Sequence, residues 1–166
     1  MRITLHSIET QVSRCTLCPL SKTASHGVPG EGNPHARLFF VGQAPGRNED
    51  KSGRPFVGMA GKFLDKQLER IGIDRNDVFI TSVVKHFPPD NRMPTPDEVS
   101  ACLPYLLEQI AQVNPAVVVL MGKLAQSVKN QPILRGRKIL ELPHPAAAMR
   151  FPKLRKQFET KIASLK

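Results

Sequence analysis

VGQAPGRNEDKSGRPFVGMAG, residues Val41 to Gly61, follows the apolar run Leu38-Phe39-Phe40 and decides how the chain is read. Five glycines, two prolines and one phenylalanine punctuate it. Glycine lets the backbone approach a ligand closely, and proline fixes the path of the loop. A rigid concave loop after a strand is where open α/β sheets place their ligands. The spacing therefore predicts a strand, a ligand-holding loop and then a helix.

Working outward, the apolar periodicity of Phe63, Leu64, Leu68 and Ile71 predicts a helix over Gly61–Ile71, and Arg37–Val41 reads as the strand before the loop. Val78–Val84 reads as a second strand. Thr95-Pro96-Asp97-Glu98 is a helix start, with an N-cap threonine, a proline at the first position and a glutamate closing a capping box. That helix is expected to run to Val113 and stop before Asn114-Pro115. The continuous apolar run Ala116–Met121 suits a parallel strand covered on both faces. A short helix follows Gly122, then a strand around Lys138–Leu142, the turn HPAAAMRFP and a basic helix over Leu154–Leu165. At the other end, Leu5–Arg14 reads as a short helix leading into Cys15. Strands alternating with helices imply an α/β fold with a parallel sheet. At 166 residues one domain is expected, without repeats or linkers.

No apolar run approaches the roughly 20 residues of a membrane helix. MRITLHSIETQVSRC lacks the apolar centre of a signal peptide, so a cytoplasmic location and no membrane partner are expected. The net charge of +10 is one-sided: Lys123–Lys166 holds 11 bases and two acids, against 13 and 12 in the first 122 residues. Such a segment fits a polyanion, usually nucleic acid, or else a solvated basic helix.

Cys15-x-x-Cys18 alone is compatible with a zinc half-site, a redox pair, a cluster half-site or two core thiols. Cys102 sits in the capped helix on the face of Leu106 and Gln109, where a small buried hydrophobe is the plain reading. His86, in VVKHFPPDNR, completes a set of four soft or borderline donors. They suit tetrahedral zinc or an iron–sulfur cluster, and spacing does not choose between them.

Five ordered elements, CTLCPL, GQAPGRNEDKSGRPFVGMAG, VFITSVVKHFPPDNRMPTPDE, the Cys102 helix and LPHPAAAMR, resemble the iron–sulfur uracil-DNA glycosylases, family 4 of the uracil-DNA glycosylase superfamily. The resemblance covers Cys15 to about Pro152. It implies a central four-stranded parallel sheet flanked by helices, with the active site at its C-terminal edge. It also implies a [4Fe–4S] cluster on Cys15, Cys18, Cys102 and the position of His86, where the family usually has cysteine; zinc is the alternative. The cluster is expected to clamp a DNA-facing loop, since hydrolysis of a glycosidic bond needs no electron.

Cutting such a bond requires the base to leave the stack. The resemblance makes Phe56 the platform on which it stacks and His144 the donor to uracil O2 as negative charge develops. Two residues depart from the pattern. Gln43 stands where glutamate is usual, keeping hydrogen bonds but losing the charge and the capacity to act as a base. Glutamine here resembles the family 1 enzymes, but their following aspartate is replaced by Ala44. Glu49 and Asp50 are the remaining acidic candidates nearby. Ser82 replaces the usual asparagine that reads uracil, which predicts weaker or broader base selection, deaminated purines included. Arg135, Arg137, Lys138, Arg150, Lys153, Arg155, Lys156 and Arg92 are candidate phosphate contacts, with Ala148 or Met149 as a wedge in the gap left by the base.

The expected activity is monofunctional excision of uracil or other deaminated bases in base excision repair, by a monomer acting on damaged DNA. No lysine in the pocket motifs suggests a Schiff base, so no strand cleavage is expected. A weak or inactive lesion-binding module on the same scaffold is the alternative, kept open by Gln43 and Ser82. A nucleotide-binding protein fits poorly, as GxxxxGK[ST] and GxGxxG are both missing.

Overall fold

A computed structural model describes residues 2–166. Its elements in chain order are α1 (Leu5–Ser13), β1 (Glu31–Gly32), β2 (Leu38–Gly42), α2 (Arg47–Ser52), α3 (Met59–Arg70), β3 (Phe79–Ser82), α4 (Pro96–Val113), β4 (Val117–Met121), α5 (Lys123–Gln126), β5 (Lys138–Leu142), α6 (Pro145–Arg150) and α7 (Pro152–Ile162), joined by short 3-10 turns.

The sheet corrects the expectation of four parallel strands. Five strands lie in the order β1-β3-β2-β4-β5. The other four, β3, β2, β4 and the edge strand β5, run parallel, while β1 pairs antiparallel with β3 through Glu31↔Ile80 and Gly32↔Phe79. Two residues carry no alternation that a sequence could show. The glycines flanking Glu31 have φ of 113° and 135°, conformations favoured by glycine that bring the edge strand close against β3.

The buried strands read as continuous apolar runs because both faces are covered. Phe39, Val41, Val118 and Leu120 point to one side, toward Cys102, Leu106 and Ile110 of α4. Leu38, Phe40, Val119 and Met121 point to the other, toward Leu64 and Leu68 of α3 and Phe158 and Ile162 of α7. The start of α4 follows the predicted capping box, with Thr95 Oγ1 accepting from the Glu98 N–H at 3.3 Å and Glu98 Oε2 accepting from the Thr95 N–H at 2.8 Å.

Two helices lie where loop or turn was expected: α2 inside the glycine-rich stretch, and α6 in HPAAAMR. Neither shows a long apolar stripe. The chain passes from β2 to β3 on one side, then crosses to β4 on the other. The crevice at the carboxyl ends of β2 and β4 is therefore the switch point where open α/β sheets bind ligands.

Candidate active site

Gln43 follows β2, Ser82 ends β3, Gly122 follows β4 and His144 follows β5, so the parallel register delivers all four to one edge. A Cβ on Gly122 would stand 3.1 Å from His144 Cβ and 3.3 Å from Gln43 Cδ, so the glutamine and the histidine face each other across a bare backbone. A Cβ on Gly42 would meet the Phe56 ring at 2.5 Å and Ser82 Oγ at 3.4 Å. The Phe56 and His144 rings lie 6.0 Å apart, centroid to centroid, tilted by 31°. Gln43, Phe56, Ser82 and His144 are thus gathered at one edge of the sheet, Gln43 and His144 lining its open grooves and Phe56 and Ser82 buried beside them, while the half-buried Ala44 packs against the core.

His144 caps α6, and its Nδ1 accepts from the Ala146 N–H at 3.1 Å. An accepting Nδ1 leaves the ring proton on Nε2, the tautomer able to donate away from the helix. Burial pushes the imidazole pKa down to about 4, so it is neutral at physiological pH. The site therefore offers an uncharged donor fixed in one orientation.

Phe56 holds φ at 49°, a left-handed conformation costing an aromatic residue about 1–3 kcal/mol unless its surroundings enforce it. The enforcing groups were not legible in the sequence. Arg75 donates from Nη1 to the Phe56 carbonyl at 2.7 Å and from Nη2 to the Pro55 carbonyl at 2.5 Å. Gly61 also has no room for a Cβ because the Phe56 backbone carbonyl fills the space.

Glu49 and Asp50 have structural partners. Glu49 accepts from the Gly46 N–H at 3.3 Å and the Gly58 N–H at 3.0 Å, closing the two ends of the glycine-rich stretch. Asp50 Oδ1 accepts from the Ser25 and His26 N–H groups at 2.8 and 3.2 Å. Both carboxylates hold backbone.

The basic segment splits. Lys138 pairs with Val117, the first residue of β4, so Arg135 and Arg137 precede β5 at the sheet edge opposite His144. Arg137 donates to the Ile133 and Pro115 carbonyls at 3.0 and 2.6 Å. A charge count along the chain could not see this, because one parallel strand carries its two ends to opposite edges. Arg150 remains at the site, lining a groove with Gln43, Met59, Asn91, His144 and Phe151. The exposed Lys153 follows in the first turn of α7. Arg92 is held by Glu98 in a two-pronged pair at 2.9 and 2.7 Å, which keeps the Glu98 carboxyl below its usual range.

Of the two wedge candidates, Ala148 faces inward and Met149 lines the groove beside Arg150. Ala148 is fully buried, and Met149 packs half-buried against the core. The most exposed apolar side chains of that groove are Met59 and Phe151, at 71% and 55% exposure. On the other side of His144 a cavity of about 650 Å³ is lined by Met93, Lys123, Gln126 and Lys161 among others.

Cys15 and Cys18 are half-buried and Cys102 is buried. Burial raises the Cys102 thiol, and Cys18 and Cys15 are near enough to add to the effect. The Lys85 N–H reaches Cys102 Sγ at 3.5 Å, which sets His86 beside the same helix. His86 is buried rather than exposed in a loop, and its Nδ1 is a buried side-chain atom without a hydrogen-bond partner among the described residues. Among those residues, no three Cys, His, Asp or Glu side chains are gathered so as to hold a metal ion. Lys85 is fully buried and donates to Thr81 Oγ1, the Ser82 carbonyl and Gln109 Oε1 at 2.6, 2.6 and 2.8 Å.

At the switch point a buried aromatic ring and a neutral imidazole donor thus lie side by side. The sequence pattern of the uracil DNA glycosylase superfamily matches residues 29–165, and the chain belongs to that family. A type-4 uracil-DNA glycosylase of Sulfurisphaera tokodaii is 43% identical over 176 residues, covering 93% of this chain and 80% of that protein. One from Saccharolobus solfataricus is 41% identical, covering 98% and 85%. One from Thermotoga maritima is 44% identical over 157 residues, covering 86% and 82%. No helix among the described residues is long and apolar enough to cross a membrane.

Proposed function

We propose that this chain is a monofunctional glycosylase that excises uracil from DNA by hydrolysing the N-glycosidic bond, acting in base excision repair as a one-domain monomer over residues 1–166. The observation that carries the reading is His144, neutral and oriented as an Nε2–H donor, its ring centroid 6.0 Å from that of Phe56. The flipped base stacks on Phe56 and its O2 accepts from His144 Nε2–H. As the bond to C1′ breaks, the electron pair moves onto the base and that hydrogen bond strengthens, while water adds to C1′. Gln43 orients the water but cannot take its proton, which passes to solvent. Ala44 leaves the wall beside Gln43 small and uncharged.

Arg150 and Lys153 neutralise phosphates beside the crevice, giving salt-sensitive, sequence-independent affinity. Phe151 with Met59, rather than Met149, presents apolar surface to the gap left by the base.

Ser82 sets the base selection. Its hydroxyl donates or accepts, whereas an asparagine amide does both in fixed directions. With labelled oligonucleotides bearing uracil, hypoxanthine or xanthine, alkali should reveal cleavage at uracil and slower cleavage at a deaminated purine. Ser82→Asn should narrow activity to uracil. Tight binding with no abasic site on any of the three would point instead to a lesion-binding module.

Cys15, Cys18, Cys102 and His86 are the donors proposed to hold a [4Fe–4S] cluster, and the unpartnered Nδ1 of buried His86 supports a ligand there. Three thiolates and an imidazole are a feasible donor set for iron–sulfur chemistry. The group would fasten the 84–92 segment to α4 and the N-terminal helix. Protein purified without oxygen should contain iron and acid-labile sulfide and be brown, and His86→Cys should retain both. Colourless protein with stoichiometric zinc would replace the cluster with a zinc site.

A further inference from the structure

Arg75 has no place in the chemistry above, yet its guanidinium lies directly behind the stacking residue. It sits in the first position of the 3-10 turn Arg75–Asp77 and lines a separate groove with Glu31 and Arg54. Two of its nitrogens hold the consecutive carbonyls of Pro55 and Phe56. The guanidinium is held in turn by Asp65 of α3 at 2.8 Å and by Glu31 of β1 at 3.5 Å. Glu31 also takes a two-pronged grip from Arg54, at 2.9 and 2.8 Å, on the same loop. A planar fork that meets two carbonyls fixes direction as well as distance, which a lysine ammonium cannot do.

The residue held this way is the one whose backbone needs holding. Phe56 sits at a φ of 49°, and its ring lies against Gly42 and faces His144. Released from its carbonyl clamp, a non-glycine residue relaxes toward negative φ, which turns its Cβ and swings the ring. The edge strand β1 acquires a use from this arrangement: it carries Glu31 to Arg54 and Arg75.

We infer that Arg75, anchored by Asp65 and Glu31, is a positioning residue that holds the Phe56 ring in its base-stacking orientation through the Pro55 and Phe56 carbonyls. The inference rests on Phe56 being the stacking platform. Its function is preorganisation: the platform is set before the base arrives, so none of the binding energy is used in ordering it.

Two measurements test it. The first does not depend on catalysis. With 4-fluorophenylalanine placed at position 56, the fluorine spectrum of the folded protein should give one sharp line, and Arg75→Ala should shift or broaden it. Arg75→Lys, which keeps the charge and most of the stem, should do the same and guards against a simple failure to fold. The second is a double-mutant cycle on single-turnover uracil excision. Arg75→Ala should lower the rate by roughly tenfold alone, within the range of couplings between residues in contact, and change it little in a Phe56→Ala background. An unchanged fluorine line, or the same loss with and without Phe56, would overturn the positioning role. If the wild-type chain releases no uracil at all, the glycosylase reading fails, and the fluorine spectrum still decides whether Arg75 holds the ring.

Discussion

Replacing His144 with alanine should lower the single-turnover rate of uracil excision by about 10²–10³-fold, the effect expected on removing one preorganised donor to a developing oxyanion. Binding of uracil-containing DNA should change far less, because in the proposed role His144 acts most strongly once charge has moved onto the base. The pH dependence separates this role from a general loss of structure. The imidazole is held neutral by burial down to about pH 4, so protonation of His144 produces no fall in rate between about pH 8 and 5. The sign for stability runs the other way from a salt-bridged histidine. The unfolded chain binds this proton near its ordinary pKa of about 6.5, and the folded chain resists it. Its contribution to stability is complete above about pH 6.5 and is lost as pH falls from there toward 4. His144→Ala should flatten the stability profile in that window. A variant with a near-wild-type rate would remove His144 from the reaction.

Replacing Phe56 with alanine should lower the rate by about 5–150-fold, the equivalent of the roughly 1–3 kcal/mol that a base gains by stacking on an aromatic ring. Gly42→Ala should reproduce much of this loss, since its Cβ would stand 2.5 Å from the ring and force it aside. The pair gives an internal check, measured as single-turnover rates in a double-mutant cycle. In the Phe56→Ala background the clash is gone, so Gly42→Ala should cost little more. Equal losses in both backgrounds would mean that Gly42 serves something other than the ring.

Much of this architecture is legible without coordinates, for reasons that differ by element. The run at Val117–Met121 is apolar throughout because both of its faces are covered, and α4 announces itself through Thr95, Pro96 and Glu98. The strand β1 is hidden because two residues, one of them a glycine, carry no periodicity. The helix α2 is hidden because RNEDKS is polar on every face.

Within the site, residues tied to the ends of parallel strands were the readable ones. Gln43, Ser82 and His144 each follow an apolar run, and parallel pairing brings those ends together. Arg135 and Arg137 share the basic segment with Arg150, but they precede β5 rather than follow it, so linear charge density misplaces them. Arg75 gave no signal, because its partners at the site are backbone carbonyls and any residue supplies those. Burial of Lys85 was equally silent: a lysine after a strand reads as solvated, and the oxygens that receive it come from β3 and α4.

The most direct test of the account is the product of a single turnover on uracil-containing DNA, analysed for free base and for the state of the strand. Release of free uracil with the backbone intact, breaking only after alkali, is the predicted result, with the release lost in His144→Ala. No free uracil from the folded wild-type chain, or a strand cut without alkali, would contradict it.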